Sequence, residues 1–247
     1  MNILISNDDG VFSNGIIKLA ERLSKRNNVL VVAPDENCSA CSHSLTIGKA
    51  LKLTERKISK NFKAYSISGT PCDCVKFAKL AFKDFKTDVV VSGINKAHNL
   101  GSDILYSGTV AIACEASFFG DVAFAFSSFN YGDVDFDAYA IIAEEIINKL
   151  LPISCAGDIW NVNFPDEKLG EIKGIKITQL GKQLYSDRYE VVGDNEYVLV
   201  GELLEHNEND KDCDIEWIKK GFVTVTPLLF NKTNYKKLKD VVDLKLF

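Results

Sequence analysis

The sequence predicts an α/β protein built on a doubly wound, mostly parallel sheet. Short apolar runs typical of strands buried on both faces recur through the first two-thirds of the chain. Between them lie stretches with apolar residues at helical spacing, the rhythm of strand–helix–strand crossovers. Polar loops follow the ends of the apolar runs, where a parallel sheet binds its ligands.

Residues 2–6 (NILIS) form the first strand. Ile16, Leu19, Ala20 and Leu23 share one helical face, which predicts an amphipathic helix over 14–25. Residues 29–33 are a second strand, closed by Pro34, which has no N–H to continue a ladder. Residues 34–46 are polar and read as a long loop, a place where function concentrates. After a strand at 62–67, Thr70-Pro71-Cys72-Asp73 starts a helix. Thr70 is its N-cap, Pro71 its first residue and Asp73 complements the dipole. Val75, Ala78 and Leu80 carry this helix to about residue 82. Residues 88–92 are a buried strand and 93–106 a polar, glycine-containing loop. The next helix, 108–118, is dense in small residues (Ala111, Ala113, Ala116, Ser117) that allow close packing on the sheet. A strand at 122–127, a helix at 135–151 and a strand at 160–164, stopped by Pro165, follow.

Beyond about residue 165 strand-like runs dominate (174–180, 196–201, 222–227), separated by acidic loops such as 205–214. A short helix at 214–220 ends at Gly221. We therefore divide the chain into a catalytic core, 1–165, and a β-rich region, 166–247, expected to complete the core and carry oligomer contacts.

A chain of 247 residues accommodates one large α/β domain or a core with an elaboration. Hydrophobic residues (46%) and charged residues (26%) are in ordinary proportion for a globular protein. The net charge of −5, from 29 basic and 34 acidic side chains, argues against a nucleic-acid duplex as partner. No basic block appears before the scattered lysines Lys232, Lys236, Lys237 and Lys239. Met1 leads straight into a strand and no apolar run approaches a membrane span, so a cytoplasmic protein without a membrane partner is expected. The seven cysteines then read as reduced thiols. Cys38 and Cys41 have the spacing of a redox or zinc motif, but no helical pattern follows them.

The most informative residues are Asp8 and Asp9, adjacent carboxylates followed by Gly10 at the end of the first strand. Two such charges about 4 Å apart repel by roughly 4 kcal/mol at an effective dielectric of about 20. A divalent cation offsets that repulsion most simply. Ser39 lies in the loop after the second strand and Asn95 in the loop after residues 88–92, and a parallel sheet delivers all three loops to one edge. Two carboxylates, a hydroxyl and an amide oxygen suit Mg²⁺ or Mn²⁺ rather than zinc or copper. Ser107-Gly108-Thr109 opens the next helix, whose free N–H groups and positive dipole end suit a phosphate. Together these residues suggest hydrolysis of a phosphoryl group.

At this point a resemblance becomes specific. The blocks Asn7-Asp8-Asp9-Gly10, Val32-Ala33-Pro34 leading to Ser39, and Ser68-Gly69-Thr70-Pro71-Cys72-Asp73-Cys74-Val75 are similar to those of the SurE family of survival-protein 5′-nucleotidases. So are Ser92-Gly93-Ile94-Asn95, Asn99-Leu100-Gly101 and Tyr106-Ser107-Gly108-Thr109, with Asn161-Val162-Asn163-Phe164-Pro165 and Val223-Thr224-Val225-Thr226-Pro227-Leu228 later. The resemblance spans the chain in order. It implies a Rossmann-like α/β/α core and a cytosolic phosphatase of nucleoside monophosphates, with 3′-nucleotides and short polyphosphate as further substrates. It implies one divalent metal per subunit, held by Asp8, Asp9, Ser39 and Asn95. It also implies a homodimer or homotetramer built through an exchanged C-terminal segment. The chain departs from the family loop, which carries arginine and glycine, by placing Glu36, Cys38 and Ala40 there, so positive charge near the phosphate is reduced.

On this reading Asp8 or Asp9 orients the attacking water or takes its proton. Asn95, Ser107, Gly108 and Thr109 contact the phosphate. An aspartyl-phosphate route stays open beside direct attack by water. Lys96 could restore some positive charge, and His43 and His98 are candidates for protonating the leaving group. The alternative is a Mg-binding receiver-type signalling domain, which also places paired acids after its first strand. It requires an aspartate at the end of a third strand and a lysine after a later one. Here Asp88 begins a strand, and no lysine ends 122–127. A haloacid-dehalogenase-type phosphatase wants Asp-x-Asp, a spacing the adjacent Asp8 and Asp9 lack.

Overall fold

The computed structural model describes residues 1–128, 134–166, 171–204 and 212–242. The first half runs β1 (Asn2–Ser6), α1 (Asn14–Leu23), β2 (Asn28–Pro34), β3 (Leu53–Arg56), β4 (Lys63–Ile67), α2 (Pro71–Ala81), β5 (Val89–Asn95) and α3 (Gly108–Phe118). It continues through β6 (Val122–Ser128), α4 (Phe136–Leu150), β7 (Ile159–Phe164), β8 (Ile175–Ile177), β9 (Arg188–Gly193) and β10 (Glu196–Val200). The last elements are α5 (Asp214–Lys219), β11 (Val223–Leu228) and α6 (Tyr235–Val241).

Nine strands form one sheet in the order β3-β4-β2-β1-β5-β6-β7-β11-β8. The strands from β4 to β7 in that order are parallel, whereas β3 and β11 pair antiparallel to their neighbours β4 and β7. The chain winds outward from β1 to β2 and β4, then returns to start outward again from β5. The strand order therefore reverses between β1 and β5, the switch point at which open α/β sheets bind ligands. The expected doubly wound sheet is present, and its first elements lie within a residue or two of the predicted ones.

The pleat sorts side chains onto two faces. Ile3, Ile5, Val29, Val31, Val89 and Val91 pack on one face against Ile16, Leu19 and Leu23 of α1 and Ala143 and Ile147 of α4. Leu4, Leu30, Val32 and Val90 pack on the other against Val75 and Ala78 of α2 and Ile112, Ala113 and Ala116 of α3. Helix α2 carries the predicted cap, with Asp73 N–H donating to Thr70 Oγ1 (3.2 Å) and Thr70 N–H to the Asp73 carboxylate (2.8 Å).

Three elements were not anticipated. β3 falls in a mixed polar stretch at the sheet edge, β9 pairs antiparallel with β10 in a separate hairpin, and α6 lies near the C-terminus. β5 runs three residues past the predicted end, so Asn95 ends a strand rather than sitting in a loop. The sheet draws β8 and β11 from beyond residue 165. Most of the acidic stretch 205–214 lies outside the described residues. None of the described helices is long and apolar enough to cross a membrane.

Candidate active site

Asp8, Asp9, Ser39, Asn95 and Ser107 line one cleft of about 370 Å³, with Asn37, Lys96, Asn99, Asp103 and Tyr106. It lies at the carboxyl ends of β1 and β5, at the switch point. The residues that sequence spacing scattered over a hundred positions are thus brought together.

The two aspartates have different surroundings. Asp8 is buried and its Oδ1 accepts a short bond from the Thr109 hydroxyl (2.5 Å). Burial raises its carboxyl above the ordinary value, and the hydroxyl of Thr109 with the N–H groups of Thr109 and Gly108 oppose that rise. The first turn of α3 is therefore turned on Asp8, so Gly108 and Thr109 hold this carboxylate where the sequence suggested phosphate donors. A Cβ on Gly108 would lie 2.7 Å from Asp8 Cβ, so only glycine permits the approach. Asp9 is raised to about 6, first by burial and then by the charge of Asp8, while the charge and N–H of Lys96 pull it down. Its Oδ2 is buried and has no hydrogen-bond partner among the described residues. A buried, unpartnered carboxylate oxygen is costly unless a cation or ligand answers it.

Ser39 donates its hydroxyl to Asn37 Oδ1 (2.7 Å), leaving lone pairs on Oγ. Asn95 gives its amide nitrogen to the Ala97 carbonyl (2.7 Å), which leaves its Oδ1 as the remaining polar atom. Gly93, at φ +116°, lets β5 turn there, and a Cβ would meet the Phe126 carbonyl oxygen at 2.3 Å. Ser107 caps α3 by accepting the Val110 N–H (3.0 Å), so its own O–H remains available to donate. Two carboxylates with neutral hydroxyl and amide oxygens are the donor set of a hard divalent cation, and the unpartnered Asp9 oxygen fits such a guest. Among the described residues no group of three or more His, Cys, Asp or Glu is arranged to hold a metal, and all seven cysteines are free.

The histidines separate. His98 is buried with Nε2 against the Phe164 carbonyl (2.7 Å), and burial lowers its pKa. It is not on the cleft wall. His43 Nε2 meets the Glu115 carboxylate (2.8 Å), which also takes Lys76 (2.6 Å), and these contacts hold Glu115 below the usual carboxylate range. Sequence reasoning missed the residues that brace the cleft. Asn99 donates its N–H to Asn163 (2.8 Å) and its side-chain amide to Ser127 (2.7 Å). Its carbonyl accepts from Asn161 (2.8 Å) and Asn163 (3.0 Å). This explains the Asn-x-Asn pair on β7. Asp214 accepts the N–H groups of Gly101 and Gly181, both at 2.8 Å. Asn161, Asn163 and the Asn99-Leu100-Gly101 block were visible in the sequence, but their pairing is tertiary.

The family description "Survival protein SurE" matches residues 3–187. The chain belongs to the SurE family. It is 41% identical to the 5′-nucleotidase SurE of Thermoanaerobacter sp. (strain X514), over 96% of each chain. It is likewise 41% identical to the 5′-nucleotidase SurE of Clostridium tetani (strain Massachusetts / E88), over 98% of each. The crystal structure of the SurE protein from Aquifex aeolicus superposes with a TM-score of 0.83 at 39% identity, covering 97% of each chain. This SurE chain therefore shares its whole architecture with that solved relative.

Proposed function

We propose that this SurE chain hydrolyses nucleoside 5′-monophosphates to nucleoside and phosphate, using one bound Mg²⁺ or Mn²⁺ per subunit. The observation that carries the reading is the buried, unpartnered Asp9 oxygen in a cleft that also gathers Asp8, Ser39 and Asn95. The relatives named as 5′-nucleotidases support the choice of substrate.

Asp8, Asp9, Ser39 and Asn95 would hold the cation, which supplies positive charge against the phosphate oxygens and Lewis acidity toward water. Asp8 is held rigid by Thr109 and the start of α3. Asp9 orients the attacking water and takes its proton. The Ser107 hydroxyl donates to a phosphate oxygen, and the charge of Lys96 on the cleft wall favours the anion. The same chemistry extends to 3′-nucleotides and short polyphosphate, because the cleft grips the phosphoryl group alone. A cytoplasmic homodimer or homotetramer fits the exposed apolar side chains of the β9–β10 hairpin and α6.

Phosphate release from a panel of nucleoside monophosphates, with chelator and with added Mn²⁺ or Mg²⁺, tests the proposal. Release that depends on metal and falls at least about 100-fold in Asp8→Asn supports it. Full release in chelator, or stable phosphorylation by acetyl phosphate without turnover, overturns it in favour of another chemistry or of a receiver.

A further inference from the structure

Splitting a nucleoside monophosphate leaves an alkoxide, which departs easily only if a nearby acid gives it a proton. Neither histidine is placed for this. His98 Nε2 faces the Phe164 carbonyl, and neither His98 nor His43 lines the cleft. Besides Asp8 and Asp9, the titratable side chains on the cleft wall among the described residues are Lys96, Asp103 and Tyr106. Lys96 and Tyr106 are exposed, and neither side chain has a hydrogen-bond partner among the described residues to hold it.

Asp103 is held. It sits half-buried on the short 3-10 turn Gly101–Leu105. Its Oδ2 accepts the Tyr185 hydroxyl (2.5 Å) and the Gln183 side-chain amide (2.7 Å), and that amide also donates to the Tyr185 oxygen (2.9 Å). Gln183 is fastened to the same turn, its N–H donating to Ser102 Oγ (3.1 Å) and its carbonyl accepting the Ser102 hydroxyl (2.8 Å). Asp103 Oδ1 makes no hydrogen bond to the described residues. One carboxyl oxygen is therefore clamped, and the other is left for a ligand in the cleft.

The clamp suits a group that gives up a proton and takes it back. Both clamping side chains are neutral, and burial raises the Asp103 carboxyl above its ordinary value against the opposing bond from Tyr185. Burial and the bond to Asp103 raise the Tyr185 phenol, which keeps its own proton and goes on donating. Gln183 and Tyr185 lie between β8 and β9, so the region beyond residue 165 reaches the cleft through Asp103.

We propose that Asp103 is the general acid of the reaction, its Oδ1 protonating the oxygen that leaves phosphorus. The proposal rests on the phosphatase reading above. The water oxygen bonds to phosphorus while Asp9 takes a proton from it. The bond between phosphorus and the ester oxygen breaks, and its electron pair stays on that oxygen. The Asp103 proton moves there, so the nucleoside departs with its hydroxyl restored. Asp103 is left as a carboxylate, which the Tyr185 and Gln183 donors stabilise until solvent returns the proton.

The test compares AMP with p-nitrophenyl phosphate in the full chain with saturating Mn²⁺. The p-nitrophenolate anion is stable and leaves without a proton, whereas the nucleoside alkoxide needs one. Asp103→Asn keeps the shape of the carboxyl and lacks its acid proton. In this variant kcat for AMP is expected to fall about 100-fold, and the ratio of kcat for AMP over p-nitrophenyl phosphate by at least about 30-fold. Asp103→Glu, which restores an acid, is expected to regain part of the lost AMP turnover. Where circular dichroism shows that Asp103→Asn does not fold, Tyr185→Phe carries the same comparison, with a ratio expected to fall about threefold or more. A ratio within about twofold of wild type in the folded variant overturns the proposal, because a merely structural role lowers both rates together or neither. That outcome leaves the phosphatase reading intact. A wild type that hydrolyses neither substrate sinks that reading, and the proposal with it.

Discussion

Asp8 and Asp9 are adjacent in the chain but sit in different surroundings because their partners differ. Thr109 and the first turn of α3 hold Asp8, whereas Asp9 keeps an unanswered oxygen. Asp9→Asn is expected to abolish turnover while leaving the apo fold at least as stable, since it removes a buried like charge; circular dichroism and melting temperature check the second half. The raised carboxyl also sets a pH dependence. With its folded value near 6 against an ordinary 3.8, Asp9 favours the folded state when protonated. Its contribution without metal is therefore best at low pH and declines as pH rises from about 4 to about 6. A cation competes with that proton. The rise in melting temperature on adding Mn²⁺ should be large at pH 8 and shrink as pH falls through about 6, and a rise independent of pH would contradict the account. Asp8 and Asp9 stood out in the sequence because paired acids after an apolar run are rare without a purpose. The commitment of Gly108 and Thr109 to Asp8 was not legible, since a helix start looks the same whether it faces a phosphate or a carboxylate of its own chain.

At the scale of elements, α3 and the loop over 34–46 form the site by being placed against β1. Helix α3 can approach only because position 108 has no side chain. Gly108→Ala should push Asp8 aside, costing about 1–3 kcal/mol in stability and most of the activity. Retained activity with unchanged melting would show that the contact is slack. The loop is braced by His43 and Lys76 on Glu115 and by Thr46 N–H on Asp73. The strands and helices of the core were legible because their apolar patterns are long and their ends carry strong signals, such as Thr70-Pro71 and Pro165. β3 was not, because an edge strand half in solvent needs no apolar run, and Leu-Thr-Glu-Arg provides none. β9 opens with Arg188 and carries Glu190, which hides its alternation until β10 pairs with it.

For the whole molecule, the strand order reverses where the carboxylates lie, so the topology itself directs the ligand to the cleft between β1 and β5. The β9–β10 hairpin exposes Tyr189, Val191, Val192, Tyr197 and Leu199, and α6 exposes Tyr235 and Leu238. In the proposed homo-oligomer this open apolar surface would lie between copies. Light scattering should give a multiple of the chain mass for the wild type and a shift toward the single-chain mass for Val191→Glu combined with Tyr197→Lys. A monomeric wild type would remove the hairpin from any role in assembly. The central claim, that side-chain oxygens from three distant segments receive one cation, is met most directly by a crystal grown with Mn²⁺ and measured for anomalous scattering. The account predicts a single peak in contact with Asp8, Asp9, Ser39 and Asn95; a cleft without a peak, with the Asp9 carboxylate satisfied by protein groups instead, would contradict it.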